Sequence, residues 1–395
     1  MLIMKLNGGY NGLCGRYFRR ALFAVFLILS GCAGERQEGA VHKIQVDIDS
    51  LAKEQVSIYD IFSKVELVSL DNEYPVGNIV YTGASNITWD GSRFYILDAM
   101  TFGINVYGAD GTLLKHSDKV GRGPGEFTMA DQIYYNKDLD LIEILNPMGR
   151  IFRYTPDSLK FVSEMNYMGK GLLATHDYVQ RGKTYILYSS SIDDQLWDLD
   201  TETGDLSKYD YRSPEYLRRY ISPQAPFFDI GGSPCFFRPY DGLVYTFDMD
   251  SHRVVPFIEW DLGNHQCMVE DIPDNLTVRQ YHDFIIENSQ RIASPYINIK
   301  AAGNTVFASV IYGGGKEYTL YHDLDTGETH FFHMTEEGME FLPEIFDHER
   351  KRMFKFIDFK YLPEYINRDI LDAMSRAAYD KVLEEEGSAI AIYYL

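Results

Sequence analysis

The chain has 395 residues, 45 % of them apolar and 14 % aromatic, with 30 Tyr and 24 Phe, which favours a sizeable β-rich core. The formal net charge of −21 excludes nucleic-acid binding, because a surface this acidic repels phosphate. Four cysteines are too few for a disulfide framework.

Residues 1–31 read as a lipoprotein signal peptide. Lys5, Arg16, Arg19 and Arg20 make a basic start, Ala21 to Leu29 ("ALFAVFLIL") an apolar run too short to span a bilayer, and "LSGC" a lipobox ending at Cys32. Cys32 is the expected lipidation site. The anchored protein would sit in the cell envelope, at the outer membrane, with the membrane as its first partner. Cleavage removes four basic residues and no acidic one, taking the net charge to −25. Cys235 and Cys267 remain besides Cys32 and are expected as two separate thiols. Residues 32–55 read as a linker, and 56–395 as the folded domain.

From there strand-like runs recur, punctuated by turn pairs. Asn86–Asp118 contains two Asp-Gly turns between apolar runs, a strong hairpin signal. Looser copies cover Gln132–Met165, Asp177–Tyr211, Phe236–Trp260 and Tyr296–Met334, with a partial copy at Glu344–Phe359. Each full copy carries about four short strands. Four-stranded units repeating at about 40–60 residues predict a β-propeller. The sixth unit is completed if "KVELVSL" (Lys64–Leu70) pairs with "SAIAIYYL" (Ser388–Leu395), closing the ring. Two departures stand out. The fourth unit is short by a strand, and residues 363–386 read as a helix inserted before the last strand, capping one face. The fold class expected is all-β, a six-bladed β-propeller.

"VGRGPGEF" (Val120–Phe127) raises the question of a phosphate cradle. A P-loop needs Lys-Ser/Thr after the last glycine, and a dinucleotide fingerprint needs Gly-x-Gly-x-x-Gly between a strand and a helix. Here Glu126 and Phe127 follow, and strands lie on both sides. The stretch reads as a sharp connector between blades. Together with the lipobox, "SIYDIFSKVELVSL", "VGNI" and the "FYILDA" strand, it resembles the six-bladed β-propeller lipoproteins of Bacteroidetes, relatives of the NHL-repeat propellers. The resemblance covers nearly all of the mature chain. It implies a cell-envelope propeller and no settled activity.

Candidate sites follow from the propeller register. One end of the axial channel would present Asn86, Asp131, His176, Asp177, Asn298 and Glu344. These are oxygen and imidazole groups that either line a wet channel or hold Ca²⁺, as in calcium-dependent lactonase or lyase propellers. The same end carries Arg122 and Glu126. The segment "RSPEYLRRYISPQAPFFD" (Arg212–Asp229) offers Tyr216, Arg218, Arg219, Tyr220, Phe227 and Phe228 for stacking on a glycan or docking a peptide. The turns "DLDTETGD" (Asp198–Asp205) and "DLDTGE" (Asp323–Glu328) lack the sixth-position glycine and closing glutamate of a calcium loop and read as strand-to-strand turns. No catalytic motif occurs. The sequence therefore points to a non-enzymatic binding or interaction module with no cofactor, its partner a glycan or an envelope protein. The alternative is a Ca²⁺-dependent hydrolase or lyase acting through the axial residues.

Overall fold

The computed structural model describes residues 41–76, 86–98, 101–172, 174–189, 196–211, 226–237, 242–248, 251–267, 272–273, 276–341, 344–347 and 351–395. The strands form six separate sheets, each built on four antiparallel strands. Blade I comprises Ile87–Trp89, Arg93–Leu97, Ile104–Gly108 and Leu113–Ser117. Blade II comprises Gln132–Asn136, Leu141–Asn146, Arg150–Tyr154 and Phe161–Asn166. Blade III comprises Thr175–Arg181, Thr184–Ser189, Leu196–Asp200 and Leu206–Lys208. Blade IV comprises Phe227–Ile230, Ser233–Phe237, Leu243–Asp248 and Arg253–Asp261. Blade V comprises Ser294–Ala302, Thr305–Tyr312, Lys316–Asp323 and Thr329–Phe332. Blade VI takes Ile345–Asp347, Arg352–Asp358 and Ser388–Tyr394 from the end of the chain and Lys64–Ser69 from its start, in that order from inside to outside. The expected closure is therefore met: Lys64 to Ser69 pair with Tyr394 to Ala389 in unbroken register.

The strands are runs of apolar residues rather than alternations because both faces of every blade are covered. In Arg93–Leu97, Phe94 and Ile96 pack towards blade VI while Tyr95 and Leu97 pack towards blade II. The same division recurs round the ring, so each of the six junctions between neighbouring blades holds its own hydrophobic cluster. The side-chain period of two thus sends successive residues into successive junctions. A blade has no free face, and closure leaves no free junction.

Two expectations change. Blade IV is not short: its innermost strand is Phe227–Ile230, hairpinned to Ser233–Phe237 through Gly231 and Gly232, both at positive φ. Nor are residues 32–55 wholly a linker. His42–Gln45 adds a fifth, parallel strand outside Arg253–Asp261, with Ile44, Val46 and Ile48 buried in the junction between blades IV and V. The chain then passes blade V on the outside and enters blade VI through helix Ile58–Ile61, whose Ser57–Asp60 pair forms a capping box. The inserted helical segment is Leu362–Tyr365, a short 3₁₀ turn, and Ala373–Glu384. Instead of capping one face, the last helix lies along the edge strand Lys64–Ser69, where the Ser375 hydroxyl accepts the Leu67 N–H at 3.2 Å. That covers the one edge closure would leave open in blade VI. Among the described residues no helix is long and apolar enough to cross a membrane. Cys235 is buried, its thiol pushed up to about 12 by burial, and Cys267 is half-buried; neither forms a disulfide among the described residues.

Candidate functional site

Inter-blade connections and the loops joining second and third strands share one end of the ring, called here the upper face. The innermost strands begin there and pack side by side around the axis. In blade III the start is irregular: Thr175 pairs with Ser189 and Asp177 with Tyr188, so His176 is an extra residue. Such a bulge re-aims side chains locally, and here it separates the roles of His176 and Asp177.

Asp177 is buried and accepts three hydrogen bonds: from the Tyr134 hydroxyl of blade II, from its own neighbour Tyr178 N–H at 2.8 Å, and from Phe227 N–H of blade IV at 3.1 Å. One carboxyl thus ties the inner strands of three blades. Burial pushes its pKa up to about 6 against these hydrogen bonds and against Lys300. His176 turns the other way: its Nδ1 meets Asp131 Oδ2 at 2.8 Å, while Gln132 donates to its carbonyl at 2.9 Å. Glu344 accepts Phe356 N–H at 3.0 Å and pairs with Lys355 at 3.3 Å. The Lys355 ammonium in turn sits 4.1 Å from the centre of the Tyr365 ring. Asn86 is buried, with its side-chain oxygen unpartnered among the described residues. Asn298 lies in the inner strand of blade V, at the register break between Pro295 and Ile299. Among the described residues no three His, Cys, Asp or Glu side chains group to hold a metal ion. The structure adds Lys300, which sequence reading missed. It stands on the inner strand of blade V, its pKa lowered by burial in spite of the nearby Asp177 and Glu344 carboxylates. A lysine inside "YINIKAA" was the available signal.

The raised pKa of Asp177 has a stability consequence. The folded state holds this proton more tightly than the unfolded chain, so the associated stabilisation is complete below pH 3.8 and is lost as pH rises through about 6. The shift corresponds to about 3 kcal/mol. The stability difference between the native chain and Asp177→Asn, measured by denaturant titration, is expected to move against the native chain by up to that amount between pH 4 and pH 7. A difference independent of pH would contradict the burial argument.

The glycine-rich connector answers its own question. Gly123 N–H donates to Glu126 Oε2 at 2.8 Å, and the chain closes between Val120 and Phe127. A Cβ at Gly121 would stand 1.9 Å from the Glu126 carboxylate, and one at Gly125, where φ is +72°, 2.5 Å from the Phe161 ring. The Glu126 carboxylate thus turns back into its own loop, beside Gly121 and Gly123. Glu126 is thereby a loop-closing group, and Arg122 is exposed on the same turn.

The aromatic-and-arginine segment is divided. Tyr216, Arg218, Arg219 and Tyr220 lie outside the described residues, as does Cys32. Phe227 and Phe228 are corrected from surface ligands to core: each is under 10 % exposed, Phe227 packed towards blade III and Phe228 towards blade V. The two acidic turns are turns, since Asp200 and Asp323 each accept two backbone N–H groups at 2.8 Å. A Ser207–His252–Asp198 grouping also forms, but Ser207 Oγ (3.2 Å) and Asp198 Oδ2 (4.0 Å) face the same His252 nitrogen, so no proton relay is built.

A second concavity, absent from the sequence reading, opens on the upper face of blade I. Its volume is about 310 Å³, and Glu73, Tyr74, Asp98, Asn105, His116 and Asp118 contribute to its wall. Tyr74 is stacked on His116, the rings 3.9 Å apart and 7° from coplanar.

Six four-stranded blades, closed by pairing the two ends of the domain, define a six-bladed β-propeller. The chain belongs to the DUF5128 family, described as "6-bladed beta-propeller", whose model matches residues 35–342. Its fold is similar to that of an exported protein of Bacteroides fragilis, at 14 % identity and a TM-score of 0.65 over 90 % of this chain and 99 % of the other. It is also similar to a DUF4221 family member from Bacteroides vulgatus, at 9 % identity and a TM-score of 0.55 over 85 % and 97 %. No curated protein matches by sequence.

Proposed function

We propose that this protein is a lipid-anchored binding module of the cell envelope, acting without catalysis on a glycan or a protein partner through its upper face. The observation that carries this reading is the state of the axial carboxylates. Asp131, Asp177 and Glu344 are each engaged by groups of the protein itself, and a general base or a calcium ligand needs lone pairs turned to the ligand. The pocket of blade I, by contrast, is concave and open to occupation. Envelope location is supported by the order of basic start, apolar run and lipobox, and by the exported Bacteroides fragilis protein of the same fold.

Two measurements test it. The full chain expressed in a Gram-negative host is expected in the membrane fraction, and Cys32→Ser in the soluble fraction. Equal partitioning of the two rejects the anchor. The melting temperature is expected to be the same in Ca²⁺ and in EDTA. Calcium at about 100 times its Kd would add about 2.7 kcal/mol, so a calcium-dependent rise would favour the hydrolase or lyase reading instead.

A further inference from the structure

The carboxylates on the wall of the blade I pocket give its lining a charge of one sign. Glu73, Asp98 and Asp118 supply carboxylates, and among the described residues neither Lys nor Arg contributes to the wall. Asn105 Nδ2 donates to the Tyr74 carbonyl at 3.0 Å and to the Tyr107 hydroxyl at 3.3 Å, which fixes its amide. Its Oδ1 is then the acceptor facing His116 Nδ1 at 2.6 Å, so Nδ1 carries a proton. Tyr74, 40 % exposed and backed by the stacked His116, adds an electron-rich ring. Acceptors, negative charge and a π-face together select a donor-rich cation. A neutral sugar would leave most of its own acceptor oxygens without donors in such a wall.

A second feature adjoins the pocket. Asp118, on its wall, accepts Val120 N–H at 2.9 Å, and from Val120 the upper face continues as exposed apolar side chains: Val120 (51 %), Met129 (46 %), Met148 (55 %) and Met168 (50 %). Three connections are bound together beneath them. Asn146 donates to the Met129 carbonyl and accepts Met148 N–H, both at 2.8 Å, and Tyr167 N–H, next to Met168, donates to Gly149 O at 2.9 Å. Methionine is over-used on surfaces that accept varied apolar side chains.

We propose that the upper rim of blades I and II docks a basic, partly apolar peptide segment. One arginine or lysine head enters the blade I pocket and flanking aliphatic side chains lie on Met129, Met148 and Met168. The chain's net charge of −21 strengthens the attraction at a distance. This inference rests on the binding-module reading and names its partner class.

The test titrates the full chain with a fluorescein-labelled Gly-Leu-Arg-Leu-Gly peptide and with the same peptide carrying citrulline, which keeps the shape and removes the charge. The arginine peptide is expected to bind at least about tenfold more tightly, with the advantage shrinking at high salt. In the Glu73→Gln, Asp118→Asn double variant the two peptides become equal. In Met148→Gln both weaken by a similar factor and the ratio survives. Equal affinities in the native chain, an arginine advantage that persists in the double variant, or no binding of either peptide each overturn the inference. If either peptide fails in this way and the chain still retains an immobilised glycan, the binding-module reading stands without the cationic pocket. Cleavage of the probe would overturn that reading itself.

Discussion

Removal of Ser388–Leu395 is expected to abolish cooperative folding of the whole domain. This strand is paired on both sides, to Lys64–Ser69 and to Arg352–Asp358. It buries Ala389 to Tyr393 completely or nearly so, dividing them between the junctions with blades V and I. Burying each large apolar side chain contributes about 1.5–3 kcal/mol and each ladder hydrogen bond about 1 kcal/mol, on the order of 10 kcal/mol in sum before the exposed edges are counted. Native domains hold only about 5–15 kcal/mol in all. The loss is also not local. Without this strand, Lys64–Ser69 has no strand partner, blade VI shrinks to two strands, and the ring reopens between blades V and I. The truncated chain is expected to show no sharp thermal transition by circular dichroism and rapid proteolysis across all six blades. Adding a synthetic Gly387–Leu395 peptide should restore part of the protection, because the pairing partners remain. A truncated chain melting within a few degrees of the full one would show that the ring does not depend on this closure.

The same closure shows why the architecture was legible and parts of the site were not. Four-stranded units betray themselves through turn chemistry that is local, such as Asp90-Gly91 and Asp110-Gly111 between apolar runs. Two orphan strands at the chain ends could only complete each other. The inner strand of blade IV escaped because Phe227 and Phe228 follow a stretch rich in arginine and tyrosine and were read with it. Yet "FFDI-GG-SPCFF" holds a Gly-Gly hairpin signal between two apolar runs. The outer strand His42–Gln45 pairs in parallel with residues more than 200 positions away, and only the alternation of Ile44, Val46 and Ile48 hinted at it. The starts of most inner strands could be read from the sequence, but the partners of the polar residues there could not. Whether Asp177 faces solvent or three donors depends on a one-residue bulge at His176. The blade I pocket assembles residues from 73 to 118 with no characteristic spacing, so nothing in the sequence marks it.

Glu143→Ala is expected to be the most damaging single substitution away from the strand ends. Glu143 lies mid-strand in the apolar run "LIEIL", where a charge signals either an error of register or a buried partner. It has the partner. Arg153 Nε reaches Oε1 at 2.7 Å, Tyr185 donates to the same oxygen at 2.6 Å, and Tyr178 donates to Oε2 at 2.7 Å. Asn136 closes the set, donating to Oε2 at 3.2 Å and to the Tyr185 hydroxyl at 2.9 Å. Tyr178 and Tyr185 belong to blade III and the rest to blade II, so the carboxylate fastens one junction. Alanine would leave Arg153 Nε and the Tyr178 and Tyr185 hydroxyls without their shared acceptor, the guanidinium keeping only its bond to the Tyr185 hydroxyl at 3.0 Å. Breaking one partner of a buried pair costs about 3–5 kcal/mol, and in a domain of this size that lowers the melting temperature by roughly 4–7 °C. Apolar replacement of both charges removes the orphan as well as the pair. The double variant Glu143→Leu, Arg153→Met is therefore expected to recover part of the loss, which separates an unpaired charge from a mere cavity. If the double variant is as unstable as Glu143→Ala, packing rather than charge holds this junction. The network then says little about how blades II and III keep the inner strands, and with them Asp177 and His176, in register at the mouth of the channel.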